Sequence, residues 1–243
     1  MADPPPLTAD CALFLDIDGT LIDIADHPLD VVVPAGLVST LRELRIRLGG
    51  ALALVSGRSL AQIDLLLGET PFDLAGSHGF EWRDGSGQDQ VLADRDPALE
   101  KVADQIVTAS SGLRGLYVEH KAYSIALHYR SNLELVDQAW ALARAGADSL
   151  GPDFTLLGGK AVVEIVSAHA KKGMAIERFL AAPPYAGRRP VFAGDDLTDE
   201  SGFAQVNRDN GVTIRVGRET PETLAKFSLP STAALRAWLG GVL

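Results

Sequence analysis

Cysteine is nearly absent from this sequence. The single Cys11 in 243 residues excludes a disulfide within the chain and any zinc site built on thiolates. A basic excess is lacking as well: 22 Lys and Arg stand against 32 Asp and Glu, for a formal net charge of −10. That balance argues against nucleic acid held by bulk electrostatics, but a local cationic pocket can still take a phosphorylated small molecule. No stretch approaches the roughly 18 apolar residues of a membrane span. Residues 48–57 (LGGALALVSG) come closest and read as a buried strand with its turn. The opening MADPPPLTAD lacks the basic stretch and apolar run of a secretory signal. A soluble cytoplasmic protein with no nucleic-acid or membrane partner is therefore expected. No internal repeat or low-complexity segment stands out, and Pro4, Pro5 and Pro6 read as a loose, extended tail.

What is present is ordinary globular material, 47% hydrophobic and 22% charged, long enough for one large domain or two modest ones. Residues 11–17 (CALFLDI) form a continuous apolar run ending in an acid, as a strand buried on both faces should. A helix is expected over 34–48, opened by Pro34 and closed by Gly49 and Gly50, then a strand at 51–55, a helix at 59–67 and a strand at 72–75. Strands alternating with helices imply a parallel, Rossmann-like sheet with helices on both faces.

The pattern changes after residue 84. A turn-rich link at 84–89 precedes helix 97–110, strands 116–120 and 123–129, helix 132–147, and strands 154–157 and 161–166, with Gly158-Gly159 as a hairpin turn signal. This αββαββ order implies an antiparallel sheet covered by two helices. The first pattern then resumes with helix 171–182, strand 190–193, helix 197–206, strand 212–216 and helix 231–239. The expected architecture is an α/β core (1–90 and 169–243) interrupted by an inserted α+β cap domain (91–168).

The strongest chemical signal is Asp16-Ile17-Asp18-Gly19-Thr20-Leu21, directly after the first buried strand. Ligands of open parallel sheets bind beyond the carboxyl ends of strands, and paired carboxylates there are costly without a cation or a role. One can act as nucleophile, one as acid/base, and both can face Mg²⁺. Alone, an Asp-x-Asp pair is better read as a strand-terminating acidic turn. Three further pieces recur where the other core strands open. Ser56-Gly57-Arg58 offers a hydroxyl and N–H groups to an anion, Lys172 offers a fixed ammonium, and Gly194-Asp195-Asp196-Leu197-Thr198-Asp199-Glu200 offers carboxylates to a hard cation.

These four pieces, in this order, resemble the motifs of the haloacid dehalogenase superfamily of aspartate-nucleophile phosphatases. The resemblance implies that Asp16 attacks phosphorus and that Asp18 protonates the leaving oxygen and later deprotonates water. It implies that Asp16, the Asp18 main-chain carbonyl and Asp195 bind Mg²⁺, that Ser56 and Lys172 hold the phosphate, and that Asp196 and Asp199 support them. It also makes the inserted domain a lid that chooses the leaving group. There, Glu119 and Lys121 stand two apart on a strand, on one side of it, and Glu164 is placed to converge with them. An acid beside a base suits a polyol, although surface ion pairs would leave the same spacing.

Gly76-Ser77-His78-Gly79-Phe80-Glu81, Glu119-His120-Lys121, His128-Tyr129-Arg130, Gly159 to Glu164 and the acidic Gly194–Glu200 run together resemble the trehalose-6-phosphate phosphatase family. By that resemblance Glu119, Lys121 and Glu164 bind sugar hydroxyls, and Arg58, His78 and Arg130 are further substrate-binding candidates. Two departures are visible: His169-Ala170-Lys171 precedes Lys172, leaving open which lysine faces the phosphate, with Lys172 favoured, and 84–96 matches no pattern. Sucrose 6-phosphate, mannosyl-3-phosphoglycerate and a non-catalytic phosphosugar sensor are the competing readings. The chain has no room for a glycosyltransferase, so a trehalose-6-phosphate synthase would be a separate protein. His128 and His78 are also readable as hydrogen-bonded core residues, His27 and His169 as loop residues, and Trp82, Trp140 and Trp238 as packing residues.

Overall fold

The computed structural model describes residues 2–25, 30–68, 71–217 and 222–241; His27 lies outside them. In chain order the elements are β1 (Cys11–Leu15), α1 (Leu37–Arg47), β2 (Leu52–Val55), α2 (Leu60–Leu67), β3 (Asp73–Gly76), β4 (Glu81–Arg83) and β5 (Asp89–Val91). The middle of the chain adds α3 (Pro97–Ala109), β6 (Tyr117–His120), β7 (Ile125–His128), α4 (Val136–Leu150), β8 (Phe154–Gly159) and β9 (Val162–Ser167). The last third gives α5 (Lys172–Leu180), β10 (Arg189–Gly194), α6 (Glu200–Arg208), β11 (Val212–Val216), β12 (Phe227–Leu229) and α7 (Thr232–Gly240). The chain divides into two compact units, 1–90 with 171–243 and 91–170. Among the described residues no helix is long and apolar enough to cross a membrane.

The larger unit carries an eight-stranded sheet in the order β12-β11-β10-β1-β2-β3-β4-β5. Every pair from β12 to β3 is parallel, and β4 turns back antiparallel to β3. At its centre β1 pairs with β10, setting Phe14 beside Phe192, and all five residues of β1 are buried. A strand covered on both faces has no solvent side on which to place a polar residue, which is why CALFL does not alternate. Helix α1 buries Leu37, Leu41 and Leu44, at helical spacing along one stripe. It starts three residues after Pro34, because Gly36 sits at φ +83°, a left-handed conformation that a helix cannot pass through.

In the smaller unit the sheet order is β6-β7-β9-β8, antiparallel throughout. Ile125, Leu127, Val163 and Ile165 share one buried cluster with Leu99, Val102 and Ile106 of α3 and Ala139, Ala143 and Ala147 of α4. The small α4 residues let that helix lie close: a Cβ on Gly146 would stand 2.8 Å from Ile165 Cδ1. Alternation along the strands sends Glu119, Ala126 and Glu164 to the opposite face. These three are direct cross-strand partners in one row.

Several expectations are corrected. The proline-rich start is pinned: Ala2 bridges Phe227, its carbonyl accepts from the Ser228 N–H at 3.3 Å, and Pro4 and Leu7 are buried. The β8–β9 turn falls at Lys160-Ala161, with Ala161 at φ +57°, while Gly158 and Gly159 belong to β8. Helix α4 begins at Val136 after a 3-10 turn capped by the Asn132 side chain, and runs on to Leu150. Strands β4, β5 and β12, three residues each, lie outside the expected set and extend the sheet at both edges.

Candidate active site

Beyond the carboxyl end of β1 the chain folds back on itself, the Ile17 carbonyl accepting the N–H groups of Thr20, Leu21 and Ile22. Fully buried Ile17, Leu21 and Ile22 anchor this turn. Gly19 is required in it: its φ is +77°, and an added Cβ would stand 2.1 Å from Asp195 Oδ2. Gly194, at the end of neighbouring β10, meets the same limit, since its Cβ would come within 2.3 Å of the Asp199 carboxyl carbon. The glycines of both motifs are thus spaces that carboxylates occupy.

Into this space comes Lys172, the first residue of α5, with only 2% of its surface exposed. Its ammonium donates to Asp16 Oδ1 and Asp199 Oδ1, each at 2.7 Å. The second oxygen of Asp199 accepts the N–H groups of Asp195 and Asp196, each at 2.9 Å, so that carboxylate is fully engaged in holding Lys172 and the acidic loop. Asp16 Oδ2 lies 2.9 Å from the Thr20 hydroxyl, which is 3.4 Å from Asp195 Oδ1. Lys171 is exposed, and of the two lysines it is Lys172 whose ammonium reaches Asp16.

The electrostatics of this cluster suit a cation. Asp16, Asp195 and Asp199 are all buried, with ligand oxygens within 4.8 Å of one another. Three carboxylates against one ammonium leave two negative charges, the complement of a divalent ion. Burial raises the Asp16 carboxyl well above the usual carboxylate range; Lys172 opposes the rise, and Asp199 and Asp195 add to it. For Lys172, burial pulls the ammonium down, but Asp16 and Asp199 overcome it and hold the group above its ordinary value. An oxygen donor set of this kind fits a hard cation.

Asp18 pairs with Arg58 of the loop after β2, through Arg58 Nε to Asp18 Oδ2 and Nη2 to Oδ1, both at 2.6 Å. In the same loop the Ser56 hydroxyl accepts the Arg58 N–H at 3.1 Å, and its carbonyl accepts the His78 N–H at 2.9 Å. His78 holds φ +59° and is buried, and a Cβ on Gly57 would lie 2.6 Å from its ring. Asp196 is half-buried and caps the turn that starts at Leu197.

The inserted unit brings Lys121 and Glu164 together, with Nζ to Oε1 at 2.9 Å, and the Ser124 hydroxyl donates to the same oxygen at 2.5 Å. Glu119 lies in the same row but pairs with His128 Nε2 at 2.9 Å. Arg130 donates to the Lys160 carbonyl at 2.6 Å, bracing the β8–β9 turn. Sequence reasoning passed over Thr20 and Ser124 as site residues, and took His128 only as part of the His128-Tyr129-Arg130 run. Thr20 had a signal in standing inside the Asp-x-Asp-Gly-Thr turn; Ser124 had none, because its acid partner lies 40 positions away.

A sequence model of the family described as trehalose-phosphatase matches residues 14–233. A Sinorhizobium fredii protein named "Probable trehalose-phosphate phosphatase" is 45% identical over 230 residues, covering 93% of this chain and 84% of its own length. The Escherichia coli protein named trehalose-6-phosphate phosphatase is 40% identical over 239 residues, covering 98% of this chain and 89% of its own. The solved C-terminal domain of Candida albicans trehalose-6-phosphate phosphatase shares the fold at a TM-score of 0.82 with 23% identity, over 99% of this chain and 98% of that one.

Proposed function

The chain belongs to the trehalose-phosphatase family, and on that premise we propose that it hydrolyses trehalose 6-phosphate to trehalose and inorganic phosphate, a step of trehalose biosynthesis. The observation that carries this reading is the buried cluster of Asp16, Lys172, Asp195 and Asp199 beyond the carboxyl end of β1. Phosphoryl transfer calls for positioning and charge neutralisation more than for elaborate covalent chemistry, and the cluster supplies both.

Asp16 attacks phosphorus, forming an aspartyl-phosphate as the bond from phosphorus to the sugar 6-oxygen breaks. Asp18 gives its proton to the departing oxygen. In the second half Asp18 takes a proton from water, the water oxygen attacks phosphorus, and Asp16 leaves as a carboxylate with release of phosphate. Lys172 steadies the Asp16 carboxylate and a phosphoryl oxygen, and the Ser56 hydroxyl donates to another. Asp199 holds Lys172 in line, and Asp196 caps the loop carrying Asp195. Asp16, Asp195 and the Asp18 main-chain carbonyl would hold Mg²⁺, which would supply charge neutralisation at the phosphoryl group.

The sugar is recognised by the polar row of the inserted unit. Glu119, Lys121 and Glu164 offer acceptors and a donor to sugar hydroxyls, and the Lys121 ammonium is held against Glu164. Arg130 acts by bracing the adjoining turn, and His78 by fixing the loop that presents Ser56. The substrate is the product of a glycosyltransferase reaction. A cytoplasmic site of action fits a phosphosugar, whose charge keeps it from crossing membranes.

The test is phosphate release with Mg²⁺ from trehalose 6-phosphate, sucrose 6-phosphate, glucose 6-phosphate and mannosyl-3-phosphoglycerate, each with an EDTA control. A strong preference for trehalose 6-phosphate that EDTA abolishes is expected. Preference for another member would overturn the reading of the polar row, and activity insensitive to EDTA would overturn that of the cation.

A further inference from the structure

The Arg58–Asp18 contact is a two-point fork, and such forks fix the plane of a carboxylate as well as its position. Arg58 itself is held at both ends of its backbone. Its N–H donates to the Ser56 hydroxyl, its carbonyl accepts from the Ser77 N–H at 2.8 Å, and Ser59 next to it starts α2 through a capping box. The arginine is the inner partner: 11% of its side chain is exposed, against 33% for Asp18. A carboxylate offers about four lone-pair directions, of which the fork takes two, so the more open partner keeps directions for an incoming group.

We propose that Arg58 is a positioning residue that aims Asp18 at the departing sugar oxygen, and that it does not bind the phosphoryl group or the sugar. The inference rests on the acid/base reading of Asp18 given above. During the leaving-group step the proton passes from the Asp18 carboxyl to the sugar oxygen as the phosphorus–oxygen bond breaks, and the carboxylate is left in the fork. The guanidinium keeps all its protons throughout. A lysine at this position would supply charge without the fork, so charge and geometry are separable.

The experiment compares Arg58→Met, Arg58→Lys and Asp18→Asn on trehalose 6-phosphate, whose alkoxide needs a proton to leave, and on p-nitrophenyl phosphate, whose phenolate does not. The quantity read is kcat/KM, which stops at departure of the first product and so isolates this step. Misaiming an acid by about 1 Å costs on the order of 100-fold. Arg58→Met should lose about that on trehalose 6-phosphate, with aryl phosphate turnover and inhibition by inorganic phosphate nearly unchanged, and Arg58→Lys should fall between. The double variant with Asp18→Asn should be no worse than Asp18→Asn alone. Equal losses on both substrates with weakened phosphate inhibition would make Arg58 a phosphate ligand and overturn the proposal. If Asp18→Asn shows no dependence on the leaving group, the acid/base reading fails instead; if it does and neither Arg58 variant does, the proposal fails alone. Urea midpoints of all variants separate misfolding from these outcomes.

Discussion

Replacing Asp199 by Asn probes the buried cluster with a change of one atom. The carboxylate is fully buried, with one oxygen on the Lys172 ammonium and the other on two main-chain N–H groups. An amide cannot satisfy both sides. If its oxygen accepts the N–H pair, its NH₂ faces the ammonium across 2.7 Å; turned over, the NH₂ faces the two N–H donors. Removing one partner of a buried ion pair costs about 3–5 kcal/mol. Two features hold the cost to the lower end: Lys172 keeps Asp16, and one of three crowded negative charges is removed. We expect a loss of about 3 kcal/mol, or about 6–12 °C in Tm for a unit of this size. Urea unfolding in EDTA, followed through Trp82 and Trp238, measures it. A Lys172→Met cycle should give a coupling above about 1 kcal/mol. Magnesium titration supplies a second readout: a residue behind the ligands should weaken binding by about 10- to 100-fold, whereas Asp195→Asn should abolish it. Asp199→Asn within about 0.5 kcal/mol of wild type, with additive double-variant losses, would refute the account.

Three more outcomes follow from the geometry. Gly19→Ala drives a methyl into the Asp195 carboxylate at a left-handed backbone position, and should abolish both turnover and calorimetrically detected Mg²⁺ binding; retention of either would show that the turn can shift. Glu81 has its carboxyl raised, chiefly by burial, against the opposing hydrogen bonds from Ser77 and the Leu60 N–H. The folded state therefore holds that proton longer than the unfolded one, so the contribution of Glu81 to stability is greatest below about pH 4.5, the ordinary glutamate value, and declines as pH rises through the folded value. Glu81→Gln lacks this slope, so its urea midpoint should gain on wild type between pH 4.5 and 7, and parallel slopes would count against it. Lys121→Met strips a charged hydrogen bond from Glu164, worth about 1.5–3 kcal/mol. It should raise KM for trehalose 6-phosphate by about 10- to 100-fold while sparing p-nitrophenyl phosphate; equal changes would remove Lys121 from sugar recognition.

The parts legible in the sequence share a physical cause. Strands such as CALFL are apolar throughout because they are covered on both faces, and short side-chain-poor motifs such as Gly194-Asp195-Asp196 sit where those strands end. What the sequence hides is decided between distant positions. The fork of Asp18 and Arg58 spans 40 residues, and the Lys172–Asp16 contact spans 156. Strands β4, β5 and β12 escape because three residues are too few to show a period, and neighbours rather than propensity extend them. Pro34 marks a helix that Gly36 then delays, a competition between two local signals that only the backbone resolves.

The discontinuity of the larger unit has a consequence for the order in which the molecule can be made. Strand β1 emerges from the ribosome early, yet its neighbour β10 is translated about 175 residues later, after the whole of 91–170. The inserted unit is continuous and can collapse as soon as it is synthesised, whereas β1 must wait with one edge unpaired, a state that invites chaperones or aggregation. Closure of the sheet at β10 is also the event that brings Asp195 and Asp199 up to Asp16 and Lys172. A nascent chain that stops at residue 187 contains Asp16, both members of the fork and the buried lysine, and still lacks the two aspartates that complete the acidic cluster.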